Sequence, residues 1–222
     1  MHFMVNNNNK IIFGWSAKCG CSRVKKIFYF LMNGKIDNKI HTRKDQNTLP
    51  ANLKEYKIIL FIRNPYKRII SGFLDKYKNN GEFRNLWVGI PLTFTNFVDK
   101  VFIKDKMIQQ HHFAPQTTES FNSRIENHSG LILYDIENID YSYIETLFKT
   151  KIPEELIKFR GGHENKSVVV IDYQVEDMLM EKYCMYKPLT RCFYNDKIKE
   201  KVDKFYENDF KFFKKHGFEY NI

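Results

Sequence analysis

The stretch Ile11-Ile12-Phe13-Gly14-Trp15-Ser16-Ala17-Lys18-Cys19-Gly20-Cys21-Ser22-Arg23 decides how the rest of the chain is read. An apolar run feeds a tight loop carrying a lysine, a glycine and a hydroxyl, and a helical pattern leaves it. Backbone N–H groups at a helix N-terminus have no partner inside the helix, and the dipole there favours negative charge. A strand, a tight loop and a helix start therefore make a place to hold an anion. A solvated lysine in a connecting loop is the plainer reading, and the neighbouring segments have to decide between the two.

Outward from the loop, Val24, Ile27, Phe28, Phe30 and Leu31 recur at helical spacing until Asn33-Gly34 stops them. A polar connector runs from Lys35 to Tyr56. Lys57-Ile58-Ile59-Leu60-Phe61-Ile62 is then a continuous apolar run of the kind found in buried parallel strands, ending at Arg63. Asn64 can cap and Pro65 can take the first helical position, so Ile69, Ile70, Phe73, Leu74 and Tyr77 mark a second helix that Asn79-Asn80-Gly81 breaks. Strand, loop and helix twice over predict a βαβ unit with a parallel sheet, in which ligands sit beyond the carboxyl ends of the strands. The loops after both strands are then expected to face one crevice. Arg63 offers bidentate contact to a phosphate, and Ser71 lies two turns into the second helix. Lys67 and Arg68 read as a solvated helix face.

The rest of the chain is plainer. Thr93 can cap a helix through Phe102, Leu131 to Tyr134 is a short strand candidate, and Asp140 opens a helix to about Lys149. A glycine-bearing loop spans Arg160 to Ser167. The C-terminal third reads as mostly helical, with Asp196 to His216 as one last amphipathic segment. The 222 residues, 43% hydrophobic and 16% aromatic, suffice for one domain over 1–222. The formal charge of +10 points to acidic partners. Cys19, Cys21, Cys184 and Cys192 are too few for a disulfide scaffold and lack zinc-site spacing, while a Cys184–Cys192 bridge stays open. The polar, asparagine-rich start and the lack of about eighteen consecutive apolar residues predict a soluble, cytoplasmic protein without a membrane span.

The loop is not a Walker A motif, because Cys21 follows Gly20 where that motif carries a Lys-Ser/Thr pair. A P-loop kinase-like phosphotransferase would need that lysine. A non-catalytic basic module holding a polyanionic glycan or nucleic acid leaves the gathering of Lys18, Ser22, Arg63 and Ser71 unexplained, and no nucleic-acid motif appears.

Lys18-x-Gly20-Cys21-Ser22 after a strand, together with the run from Leu60 through Arg63-Asn64-Pro65-Tyr66-Lys67-Arg68 to Ser71, resembles the two cofactor motifs of sulfotransferases that use 3′-phosphoadenosine 5′-phosphosulfate, PAPS. The second motif, continuing through Asp75-Lys76-Tyr77, is most similar to the carbohydrate sulfotransferases of the chondroitin and HNK-1 type. The segments His112 to Gln116, Asn165-Lys166-Ser167 and Phe205 to Phe210 are similar to that branch as well. The resemblance implies a P-loop-like, three-layer α/β fold with a central parallel sheet flanked by helices.

It also implies that Lys18, Cys19, Gly20, Cys21, Ser22 and Arg23 grip the 5′-phosphosulfate. Arg63 and Ser71 would grip the 3′-phosphate, and Arg160, Asn165 and Ser167 would complete that end. Lys18 is expected to neutralise the leaving phosphate oxygen with no metal required. Lys39-Ile40-His41 resembles the catalytic lysine and histidine of cytosolic sulfotransferases, and histidine suits a base acting near neutral pH. His112 is the rival base. The acceptor is expected to be a hydroxyl on a carbohydrate.

Overall fold

A computed structural model describes residues 1–37, 40, 49–78, 80–103, 111–159 and 169–222. The elements run β1 (His2–Asn6), β2 (Ile11–Trp15), α1 (Cys21–Asn33), β3 (Lys57–Ile62), α2 (Pro65–Lys76), α3 (Phe94–Ile103) and α4 (Glu119–Ile125). They continue with β4 (Leu131–Asp135), α5 (Tyr141–Phe148), α6 (Glu154–Ile157), β5 (Val169–Ile171), β6 (Tyr186–Pro188), α7 (Asp196–Phe205) and α8 (Glu207–Lys215). The chain forms two compact units interleaved in sequence: residues 1–63 with 116–162, and residues 64–115 with 163–222.

The first unit carries a four-stranded sheet in the order β1-β2-β3-β4. β2, β3 and β4 are parallel, and the near-continuous apolar runs of β2 and β3 are buried on both faces, while β4 is mostly half-buried. Their register sets Trp15 beside Phe61 and Phe61 beside Tyr134, so the loops that follow all three strands leave from one edge. On one face Phe13, Ile59 and Phe61 pack with Val24, Ile27, Phe28 and Leu31 of α1 and with Ile144 and Phe148 of α5. This is an α/β architecture with a mostly parallel central sheet.

The N-terminal segment, to which the sequence pattern assigned no element, begins with a strand. β1 pairs antiparallel with β2, from His2 beside Trp15 to Asn6 beside Ile11. The turn between them is closed by Asn6 Oδ1, which accepts from the Asn9 N–H at 3.0 Å. The predicted helix signals mostly hold. Gly34 ends α1 in a left-handed conformation, its N–H donating to the Phe30 carbonyl at 2.7 Å. Asp140 caps α5 through the Ser142 and Tyr143 N–H groups.

The second unit is an aromatic-rich helical cluster. Asn64 caps α2 by accepting from the Tyr66 N–H at 2.9 Å, with Pro65 at the first helical position. Tyr66, Ile69 and Phe73 of α2 and Tyr77 at its C-cap pack with Phe94, Phe97 and Val98 of α3 and with Phe113, Phe193, Val202 and Tyr206. Three readings need correction here. Arg68 is not a solvated residue: it is 1% exposed, and its guanidinium donates to the Ala114 carbonyl at 2.8 Å and the His111 carbonyl at 3.3 Å. Asp196 to His216 is two helices rather than one segment, parted at Tyr206, which is fully buried with its hydroxyl on the Phe113 carbonyl at 2.7 Å. The C-terminal third also holds a parallel pair of short strands, β5 and β6.

Cys192 is a buried free thiol, so it takes part in no bridge. Burial and the Asp172 carboxylate beside it push its pKa up. No helix among the described residues is long and apolar enough to cross a membrane.

Candidate functional site

The site begins where β2 ends. Ser16 to Gly20 turns tightly, with the Cys19 N–H on the Ser16 carbonyl at 3.1 Å, and α1 starts at Cys21. Two residues of this turn adopt left-handed backbone, Lys18 at φ 65° and Gly20 at φ 64°. Glycine does so without penalty, whereas a lysine there is strained by about 1–2 kcal/mol and persists only where its surroundings fix it. Gly20 also puts no side-chain acceptor at the cap of α1, and the first turn of that helix contains no acidic residue. The N-terminal end of α1 therefore presents amides and a positive dipole with no built-in anion to satisfy them.

The surroundings that fix the turn are specific. Arg63, the residue after β3, donates from Nη1 to the Lys18 carbonyl at 3.0 Å. Gln116, fully buried, pairs with the same arginine through the main chain: its Oε1 accepts from the Arg63 N–H at 2.9 Å, and its Nε2 donates to the Arg63 carbonyl at 2.8 Å. Gln116 Oε1 also accepts from the Cys19 thiol at 2.9 Å. Arg23, in the first turn of α1, donates from Nη2 to the Ile136 carbonyl of the loop after β4. Ile136 is in turn held to the sheet by its N–H on the Ile62 carbonyl at 2.9 Å. Loops from all three parallel strands are thus tied together at one edge, and Lys18, Arg23 and Arg63 bring positive charge to it. Near the end of β4, burial and then the Asp140 charge push the Tyr134 phenol up to about 12, so it stays neutral.

Of the residues expected from sequence, Lys18, Cys19, Gly20, Cys21, Ser22, Arg23 and Arg63 are gathered in the first unit. Ser71, on α2, and His112 belong to the second. The His112 ring lies against Phe83, with ring centroids 5.9 Å apart, and beside His111 at 3.9 Å. Lys39, His41, Arg160, Asn165 and Ser167 lie outside the described residues. Sequence reasoning assigned no role to Gln116, although it closes the segment His112 to Gln116 that carried part of the family resemblance. A glutamine following Ala114-Pro115, with no helix or turn needing it, was the available signal. Among the described residues no group of three or more His, Cys, Asp or Glu side chains could hold a metal ion.

A mostly parallel sheet whose strand ends gather a lysine, two arginines and a helix start without a side-chain cap defines an α/β protein with a cationic strand edge. A family model described as "Sulfotransferase family" matches residues 1–216. The chain belongs to that family, and its chemistry is in general terms the transfer of a sulfuryl group to a hydroxyl-bearing acceptor. Among curated proteins and among solved structures nothing matches.

Proposed function

We propose that the protein transfers the sulfuryl group of PAPS to a hydroxyl, on a carbohydrate acceptor, within one sulfotransferase domain spanning the chain. The observation that carries this reading is the joining of Lys18 and Arg63 at the start of α1, which makes one cationic assembly from two separate loops. The turn fits an anionic donor: its glycine cap and acid-free first helical turn leave the amide end of α1 for an anion.

The donor, when bound, supplies a sulfuryl group on a good leaving phosphate. The protein's part is alignment and charge. Lys18 neutralises the oxygen from which sulfur departs, while the main-chain amides from Gly20 to Arg23 and the Ser22 hydroxyl hold the non-bridging oxygens. Arg63 and Ser71 take the 3′-phosphate, with Arg160, Asn165 and Ser167 closing that end. His41, supported by Lys39, accepts the proton of the acceptor hydroxyl as sulfur is transferred; His112 is the alternative base. The formal charge of +10 favours an anionic donor and an acidic glycan.

Isothermal titration tests the donor site. Adenosine 3′,5′-bisphosphate is expected to bind tightly without Mg²⁺ and more tightly than ATP-Mg²⁺, and a preference for ATP-Mg²⁺ would sink the reading. Transfer assays on His41→Ala and His112→Ala then identify the base, as the variant that loses turnover while keeping nucleotide affinity. Comparing glycan acceptors with simple alcohols and phenols tests the acceptor class, and transfer only to phenols removes the carbohydrate assignment.

A further inference from the structure

Gln116 makes a hydrogen-bonded ring possible. Its Oε1 receives both the Arg63 N–H and the Cys19 thiol, its Nε2 donates to the Arg63 carbonyl, and the Arg63 guanidinium returns to the Lys18 carbonyl one residue before Cys19. The ring runs Gln116 to Arg63 to Lys18 to Cys19 and back to Gln116. Its members come from the end of β3, the turn after β2 and the segment leading into α4, so no single element supplies them. The amide faces the Arg63 peptide as a neighbouring strand would, satisfying both of its main-chain groups just where the ladder with β4 ends.

A fully buried amide leaves little freedom, because each bond broken strands a polar group away from water. Polar networks of this kind specify one arrangement of the groups they join. The arrangement specified here includes Lys18 in left-handed backbone, a conformation that holds only while its neighbours over-determine it.

We propose that Gln116 is a positioning residue of the anion-binding turn, holding Lys18 and Arg63 in register for the sulfuryl donor through the Cys19 thiol and the Arg63 main chain. The functional part of this proposal rests on the sulfotransferase reading of the site, whereas the positioning part does not.

The test uses the full chain and Gln116→Ala, with Gln116→Glu as a near-isosteric second variant should alanine compromise folding. Glutamate retains the acceptor oxygen but, ionised, cannot donate to the Arg63 carbonyl. Cys19 is completely buried, so its rate of alkylation by iodoacetamide, resolved by peptide mapping, reports loosening of the turn without any nucleotide. Cys192, also buried but in the other unit, is the internal control for global opening. Cys19 alkylation is expected to rise about tenfold or more in the variants with Cys192 unchanged.

Titration with adenosine 3′,5′-bisphosphate is expected to show a Kd about 10- to 100-fold weaker, because Lys18 and Arg63 both belong to the ring. Unchanged Cys19 alkylation overturns the proposal, as does an equal rise at Cys192 or an unchanged affinity for the bisphosphate. A wild-type protein that binds no bisphosphate refutes the sulfotransferase reading and the functional part resting on it, and the alkylation rates then decide the positioning part alone.

Discussion

The Arg63 guanidinium donates to the main-chain carbonyl of Lys18 across 3.0 Å, joining two residues 45 positions apart at the end of a parallel sheet. Sequence assigns these residues to opposite ends of a nucleotide. The structure adds that the arginine is also a strut of the lysine's own turn, so a change at Arg63 is felt where Lys18 works.

Arg63→Lys tests the strut. A lysine keeps the charge but loses the planar fork that serves a carbonyl and a second acceptor at once. Affinity for adenosine 3′,5′-bisphosphate is expected to fall about tenfold or more, measured by titration calorimetry. Unchanged affinity would leave charge alone as the contribution of Arg63.

Lys18→Gly and Lys18→Ala separate strain from chemistry. Both remove the ammonium, and each is expected to slow transfer by about 10²- to 10³-fold. Only glycine relieves the positive φ, so the glycine variant should be about 1 kcal/mol more stable than the alanine variant in urea denaturation. Equal stabilities would show that the turn relaxes when the side chain is removed.

Arg68→Met probes the buried guanidinium. Methionine fills part of the space but leaves the Ala114 and His111 carbonyls without their charged donor. A loss of about 3 kcal/mol is expected from chemical denaturation. A loss below about 0.5 kcal/mol would return Arg68 to the class of surface charges.

Gly72→Ala tests a close approach between α2 and Phe113. A Cβ there would lie 2.5 Å from Phe113 Cε1, and that ring is completely buried between Tyr77 and Phe97. Destabilisation of about 1–3 kcal/mol is expected, less in a Phe113→Leu background. Additive effects of the two changes would rule out the clash.

Acid stability should depend on Asp140. Its carboxyl is held below the ordinary value of 3.8, first by the Ser142 hydroxyl and then by the amides at the start of α5. A carboxyl depressed in the folded state stabilises above its unfolded value, and that contribution is lost as pH falls through the folded one. As pH falls below the ordinary value of 3.8, the melting temperature of the wild type should therefore drop more steeply than that of Asp140→Asn, which keeps a cap without a titrating group. Parallel curves would remove Asp140 from the acid response.

Much of the fold was legible because its signals are local. Apolar runs marked β2, β3 and β4, and Gly34, Asn64, Thr93 and Asp140 marked helix ends through bonds spanning two to four residues. The turn after β2 was legible for the same reason, its lysine and glycine lying between a strand and a helix start. β1 escaped notice because its short alternation means little until β2 supplies the partner ladder.

Sequence by itself therefore determined the α/β class, the parallel strands and the cationic turn at the end of β2. Tertiary structure alone decided that Arg68 is buried, that Tyr206 divides the last helical segment, and that Gln116 joins Cys19 to Arg63. Each of these depends on a partner dozens of residues away, 46 for Arg68 and Ala114, 93 for Tyr206 and Phe113, and 97 for Cys19 and Gln116. A side chain's own neighbours specify its helix or strand, but whether its polar atoms meet water or a distant carbonyl is settled only when the chain closes on itself.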